Sequence, residues 1–334
     1  MQPMKTGLLF GLLCIQACCL FAQYKPDWQS LQLTGNVAHI EERLYQKPTG
    51  KPEFDEDDAG FQLCQIGHVD YDFNEAGLAI SRTFWNYDGE EFIFPQKWAY
   101  TYQQVDTLFL KSLSTTEGKT YEYYYNEEAL LVKEFYYEHA ALRQADYYMY
   151  STENQLVQKL TQNYTNNKLS KNITTKYTYD KWGMLREKSN TENKYVYRYD
   201  ANKKLVEEEN YLHKKLDLKI TYNYNAQGLL REKNNLSADN YVQEYQTFVY
   251  NTNGKETLNV LYQLLDRMPV DEIHQETTYD ASGKVATTKE MRKSDHQILH
   301  RTAYFYDTQG NWVKKLSYDG NNVINMALRK IEYY

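Results

Sequence analysis

The stretch YTYDKWGMLREK, Tyr177 to Lys188, is one of ten copies of a twelve-residue phrase. YNYNAQGLLREK from Tyr222 and YFYDTQGNWVKK from Tyr304 are two more. Aligned on their third residue, the copies fall at Phe73, Tyr102, Tyr125, Tyr150, Tyr179, Tyr199, Tyr224, Tyr250, Tyr279 and Tyr306, 20 to 29 residues apart. A period of that length belongs to arrays of a small supersecondary unit. The next position is Asn or Asp in eight copies, with Gln103 and Ser151 as exceptions, and Gly stands three residues further on in six. Two residues later comes an apolar side chain in nine copies, and only Glu256 breaks that column.

Asn or Asp opening a turn accepts bonds from backbone amides just ahead, and Gly in fourth place takes a positive φ without a Cβ clash. The pair predicts a short hairpin loop, a type I turn closed by a glycine bulge. Before the turn, alternation puts Ile173, Thr175, Tyr177 and Tyr179 on one face and Thr174, Lys176 and Thr178 on the other. Each copy is then a two-stranded antiparallel hairpin. The expected fold is all-β: about ten hairpins, or about twenty strands, in a curved or spiral superhelical sheet with Tyr and Leu inside. A flat sheet of that width would span about 100 Å and expose its whole tyrosine face.

Thirty-four tyrosines suit pleated, half-buried surfaces. A net charge of −7 without a basic stripe argues against nucleic acid as a partner. Lys5 followed by an apolar run from Leu8 to Phe21 reads as a secretory leader, with cleavage expected after Ala22; lipid attachment at Cys18 is the rival. The organisation expected is therefore a signal peptide over 1–22, an N-terminal cap segment over 23–70 and the repeat array over 71–334. Cys14, Cys18 and Cys19 lie in the leader, which leaves Cys64 alone in the exported chain, expected as a buried strand residue. The location expected is exported: periplasmic, cell-surface or secreted.

The phrase Tyr-x-Tyr-Asp-x-x-Gly-x-Leu resembles the YD repeats of the rearrangement-hotspot (Rhs) and teneurin shells, from about Tyr71 to the C-terminus. The resemblance implies a long antiparallel strip that spirals into a shell. It implies almost nothing about activity. The size is closer to that of compact secreted repeat proteins of Gram-negative envelopes.

Chemical motifs are scarce. No nucleophile elbow, HExxH, phosphate loop, GxGxxG or CxxC occurs. Asp295, His296 and His300 are close in sequence, but on a strand the two histidines would lie about 13 Å apart, so no metal and no cofactor is expected there. Asp55 and Asp57 resemble the start of a calcium loop that lacks its later ligands. A membrane barrel is not expected, because Lys330 and Glu332 share the face of Tyr334 and strands such as LREK are too charged for lipid. Trp182, inside its turn, and Trp85 are the candidate ligand-binding residues. The function expected is non-catalytic, a binding or scaffold protein for a glycan or an envelope protein. A carbohydrate-active enzyme with a carboxylate pair is the alternative.

Overall fold

The structure, a computed structural model, describes residues 31–46, 62–87, 92–105, 107–265, 268–320 and 322–334. The leader and the Asp55–Asp57 stretch lie outside the described residues. Among the described residues twenty-two strands run from β1 (Val37–Gln46) to β22 (Asn322–Tyr333), each antiparallel to its neighbour in sequence. β1 pairs with β22 along its length, from Val37 opposite Tyr333 to Gln46 opposite Asn325. The sheet is therefore a closed barrel. This corrects the open curved or spiral sheet expected from the sequence. The physical reason is edge satisfaction: an open array keeps two strands with unpaired N–H and C=O groups, and closure removes both. Closure also brings the chain to the one sheet form that strands adopt when they span a membrane. The expectation of no membrane span then rests on outward charge alone.

The turns form as the phrase predicts. Asp180 Oδ1 accepts from the amides of Trp182 at 2.8 Å and Met184 at 3.0 Å, and the Gly183 amide donates to the Asp180 carbonyl at 3.0 Å. Asn74, Asp200, Asn225 and Asn251 repeat both side-chain bonds. Gly183 has φ +79°, and where glycine is missing Ala129, Asn154 and Lys203 take φ values of 59°, 61° and 64°. A bulge falls at the third residue of nine copies, as between Thr178 and Tyr179.

A second periodic bond links copy to copy. Tyr179 Oη donates to the Leu156 carbonyl at 2.8 Å, Tyr199 to Leu185 at 2.9 Å, Tyr224 to Leu205 at 2.8 Å and Tyr250 to Leu230 at 2.7 Å. Tyr102, Tyr150, Tyr279 and Tyr306 do the same. Each acceptor occupies the apolar-column position of the preceding copy, Glu256 included. The first copy has no predecessor, and its third residue is Phe73. At the seam Tyr334 Oη donates to the Phe73 carbonyl instead. Lysines add a third link: Lys204 bonds the Gly228 carbonyl with its Nζ 4.9 Å from the Tyr224 ring centroid, and Lys255 treats Gly283 and Tyr279 likewise.

Strand lengths vary because only one end of each hairpin is fixed by the phrase. β10 (Lys168–Tyr179) has 12 residues and β11 (Leu185–Ser189) has five. Their pairing stops at Lys176 opposite Ser189, so 168–175 of β10 face no strand on that side. The Lys171–Glu192 ion pair, at 3.1 Å, spans the notch. A compact core gathers near the seam, where Leu33, Val37, Ile40, Phe73 and Ala79 are buried together. Cys64 falls within β2 (Gln62–Phe73).

Side chains converge on the concave face of a closed sheet and splay on the convex one. On β10, Ile173, Thr175, Tyr177 and Tyr179 are half-buried, whereas Asn172, Thr174, Lys176 and Thr178 are exposed. The tyrosine face is the inner wall. Barrels of this strand number are wide enough to enclose a lumen.

Candidate functional site

The register carries the inner face from strand to strand without a break. On β6 (Lys119–Tyr125) and β7 (Leu131–Glu138), Tyr121 lies opposite Tyr136 and Tyr123 opposite Glu134. β8 (Ala141–Tyr150) then places Asp146 opposite Glu134, and β9 (Leu156–Thr165) places Lys159 opposite Tyr148. The result is a patch where rings and charges alternate. Tyr121 and Tyr136 stack with centroids 4.9 Å apart and planes 18° apart. Lys159 Nζ lies 5.0 Å from the Tyr148 centroid and 3.0 Å from Asp146 Oδ2.

Glu134 and Asp146 are a like-charged cross-strand pair, which an isolated sheet disfavours. Each has its own donor. Tyr148 Oη donates to Glu134 Oε2 at 2.9 Å, and Gln144 Nε2 joins Lys159 on Asp146 Oδ2 at 2.8 Å. Asp146 is 1% exposed and its Oδ1 has no protein partner. Burial, reinforced by Glu134, pushes the Tyr123 hydroxyl up to about 12, and the Tyr148 hydroxyl moves in the same direction through burial and its bond to Glu134. These tyrosines stay neutral donors at any physiological pH. Nearer the seam, on β3 (Ala79–Tyr87) and β4 (Phe92–Val105), the same face holds Arg82 against Phe84 at 4.0 Å, Tyr71 at 4.9 Å and Trp98 at 5.3 Å.

Neither tryptophan singled out in the sequence belongs to this wall. Trp182 sits in its turn at 52% exposure, with Lys181 Nζ 4.5 Å from its ring. Trp85 lies on the outer face, stacked on His68 with centroids 4.4 Å apart. His296 stands between strands with φ +58°, and His300 is on β20 (Ile298–Tyr306) opposite Glu290. At Glu256 burial pushes the carboxyl up, opposed by a bond to Asn259. A groove of about 590 Å³ lies on the outer face over β11, β12 (Asn193–Tyr199) and β13 (Leu205–Leu212). Its acids are ion-paired: Glu187 with Lys194 at 2.8 Å and Glu209 with Arg198 at 3.0 Å. The sequence did not point to Glu134 and Asp146, because only the return turn of β7 and β8 fixes which of many carboxylates meet.

The outer face is charged from Lys176 to Glu232, whereas elsewhere it also shows Met149, Val249 and Phe305 and the ring cluster of Tyr124, Phe135, Tyr137 and Tyr147. Lys176, Lys194 and Arg198 are exposed on it, and Glu187, Glu207 and Glu232 share it by register.

No family model matches the chain. No curated protein matches it either. Among solved structures it is similar to the Photorhabdus luminescens Tc holotoxin pore, at 10% identity over 77% of this chain with a TM-score of 0.37. The TcdB2-TccC3 crystal structure gives 10% identity, 77% coverage and 0.38. This chain spans about one sixth of those chains, 16% in each case. A porin-like protein from Bacteroides uniformis is 11% identical, with 90% of this chain and 99% of that chain covered and a TM-score of 0.33. Scores this low leave the fold defined by the chain's own strand pairings.

Proposed function

We propose that the chain is an exported, non-catalytic binding protein whose inner wall takes a glycan. The carrying observation is the alternation of half-buried tyrosine rings with bonded carboxylates and lysines on the concave face. Rings offer flat apolar platforms to sugar faces, while neutral phenols and held carboxylates bond sugar hydroxyls. The outward charges support a barrel that stands in water, because a membrane barrel needs an apolar outer band.

The test is retention of the full chain on immobilised glycans. Wild type is expected to be retained on a subset, and Tyr136→Ala, which removes half of the Tyr121–Tyr136 stack, is expected to weaken retention by about tenfold, or about 1.4 kcal/mol. Trp182→Ala, at the rim, should change it little. Retention on no glycan would end the proposal, and loss in Trp182→Ala alone would move the site to the rim.

The enzyme is the second possibility, favoured by one observation: Glu134 and Asp146 are direct cross-strand neighbours, two carboxylates side by side on the inner wall. Against it, Asp146 is almost fully buried and held by Lys159. New reducing ends released by wild type and lost in Glu134→Gln would reverse the choice.

A further inference from the structure

We propose that Glu41, His68 and Asp70 bind one divalent transition-metal ion of the zinc class on the outer face, beside the closing seam. The site is separate from the inner wall. His68 and Asp70 are two apart on β2 and so point the same way, and β1 lays Glu41 opposite Asp70. Their ligand atoms all lie within 4.8 Å of one another, the one group of its kind among the described residues. His68 Nε2 is 3.0 Å from Asp70 Oδ1 and 3.6 Å from Glu41 Oε1.

Those separations have a meaning for zinc. Ligands at about 2.0 to 2.1 Å in a tetrahedron stand about 3.3 Å from one another. The two distances from the imidazole straddle that value. An imidazole with two carboxylates suits Zn²⁺ or Co²⁺ better than the oxygen-only preference of Mg²⁺ or Ca²⁺, and three protein ligands leave a fourth place for water.

Neighbouring groups hold the set in place. Trp85 stacks on the His68 ring at 4.4 Å with planes 24° apart, fixing the ring's orientation. Arg43, exposed on the same strand as Glu41, donates Nε at 2.6 Å and also Nη2 to Glu41 Oε1, the oxygen nearest His68, so the ion would share that oxygen with the guanidinium or displace it. The side chains of His68, Glu41 and Asp70 are 12%, 22% and 23% exposed, partly sheltered yet reachable. Glu41 belongs to the strand that closes the barrel on β22, so the ion would tie that strand to β2 and raise the stability of the ring by mass action.

The experiment uses the full chain, stripped with chelator and titrated with Co²⁺ and then Zn²⁺. The expected result is one ion per chain, the visible absorption of tetrahedral cobalt, displacement by zinc, and a change in Trp85 fluorescence. His68→Ala is expected to abolish binding, and the near-isosteric Asp70→Asn and Glu41→Gln to weaken it at least ~10-fold. His300→Ala should leave it unchanged. Asp70→Asn keeps the test decisive should His68→Ala fail to fold. Cobalt spectra without the tetrahedral bands, or binding that survives both Asp70→Asn and His68→Ala, would show an ordinary histidine–carboxylate ion pair and overturn the proposal.

Discussion

At the scale of single residues, the tyrosines set the response to pH. Burial lifts Tyr123, Tyr124 and Tyr222 from the ordinary 10.0 to about 12. Their neutral forms are favoured in the fold, so that stabilisation is whole below pH 10 and is lost as pH rises towards 12. Melting followed by circular dichroism should show the midpoint falling across that window, with phenolate absorbance rising together with unfolding. Phenolate formation well ahead of unfolding would contradict it. The turns give a paired test. Gly228→Ala would place a Cβ at φ +78° against Lys204 and should cost about 1–2 kcal/mol, whereas Ala129→Gly, relieving φ +59°, should be neutral or stabilising by under about 1 kcal/mol. The Asx and Gly roles were legible in the sequence, since each follows from the chemistry of one side chain. The tyrosine hydroxyls were not, because packing explains a repeated ring equally well. Only the acceptor carbonyls in the previous copy explain why the column is Tyr after the first copy and Phe at its start.

At the scale of elements, those hydroxyls are the rungs between hairpins. Tyr224→Phe and Tyr250→Phe remove single bonds of 2.8 and 2.7 Å and should each cost about 1 kcal/mol, nearly additively, in denaturant melts. An unchanged midpoint in both would show that the ring alone matters. Hydrogen exchange should find its fastest strand amides within 168–175 of β10, where the neighbouring stave is missing. Hairpins and their inner face were readable from alternation and turn spacing. The notch was not, because it depends on how far each return stretch runs before it turns, and those stretches share no phrase.

At the scale of the whole molecule, closure was beyond local pattern. Periodicity says how a strand meets the next one, and nothing about whether the first meets the last. The seam joins residues outside the phrase to its last copy: Arg329 bonds Glu42 at 2.9 Å and covers Trp312 of that copy at 3.7 Å, and Asn311 beside it receives the Thr34 amide at 2.7 Å. Truncation after 321 should expose two edges at once and give soluble oligomers or aggregate by light scattering, where the full chain is monodisperse. Because the outer face from Lys176 to Glu232 is charged and so breaks any continuous apolar band, the full chain should stay dispersed without detergent and fail to float with liposomes; co-flotation would place it in the bilayer. The five-residue β11 carries one more consequence, set against twelve residues in β10 and β22. A hoop under strain parts at its narrowest stave, so fracture of this ring starts in mid-sequence, and the seam between β1 and β22 outlasts it.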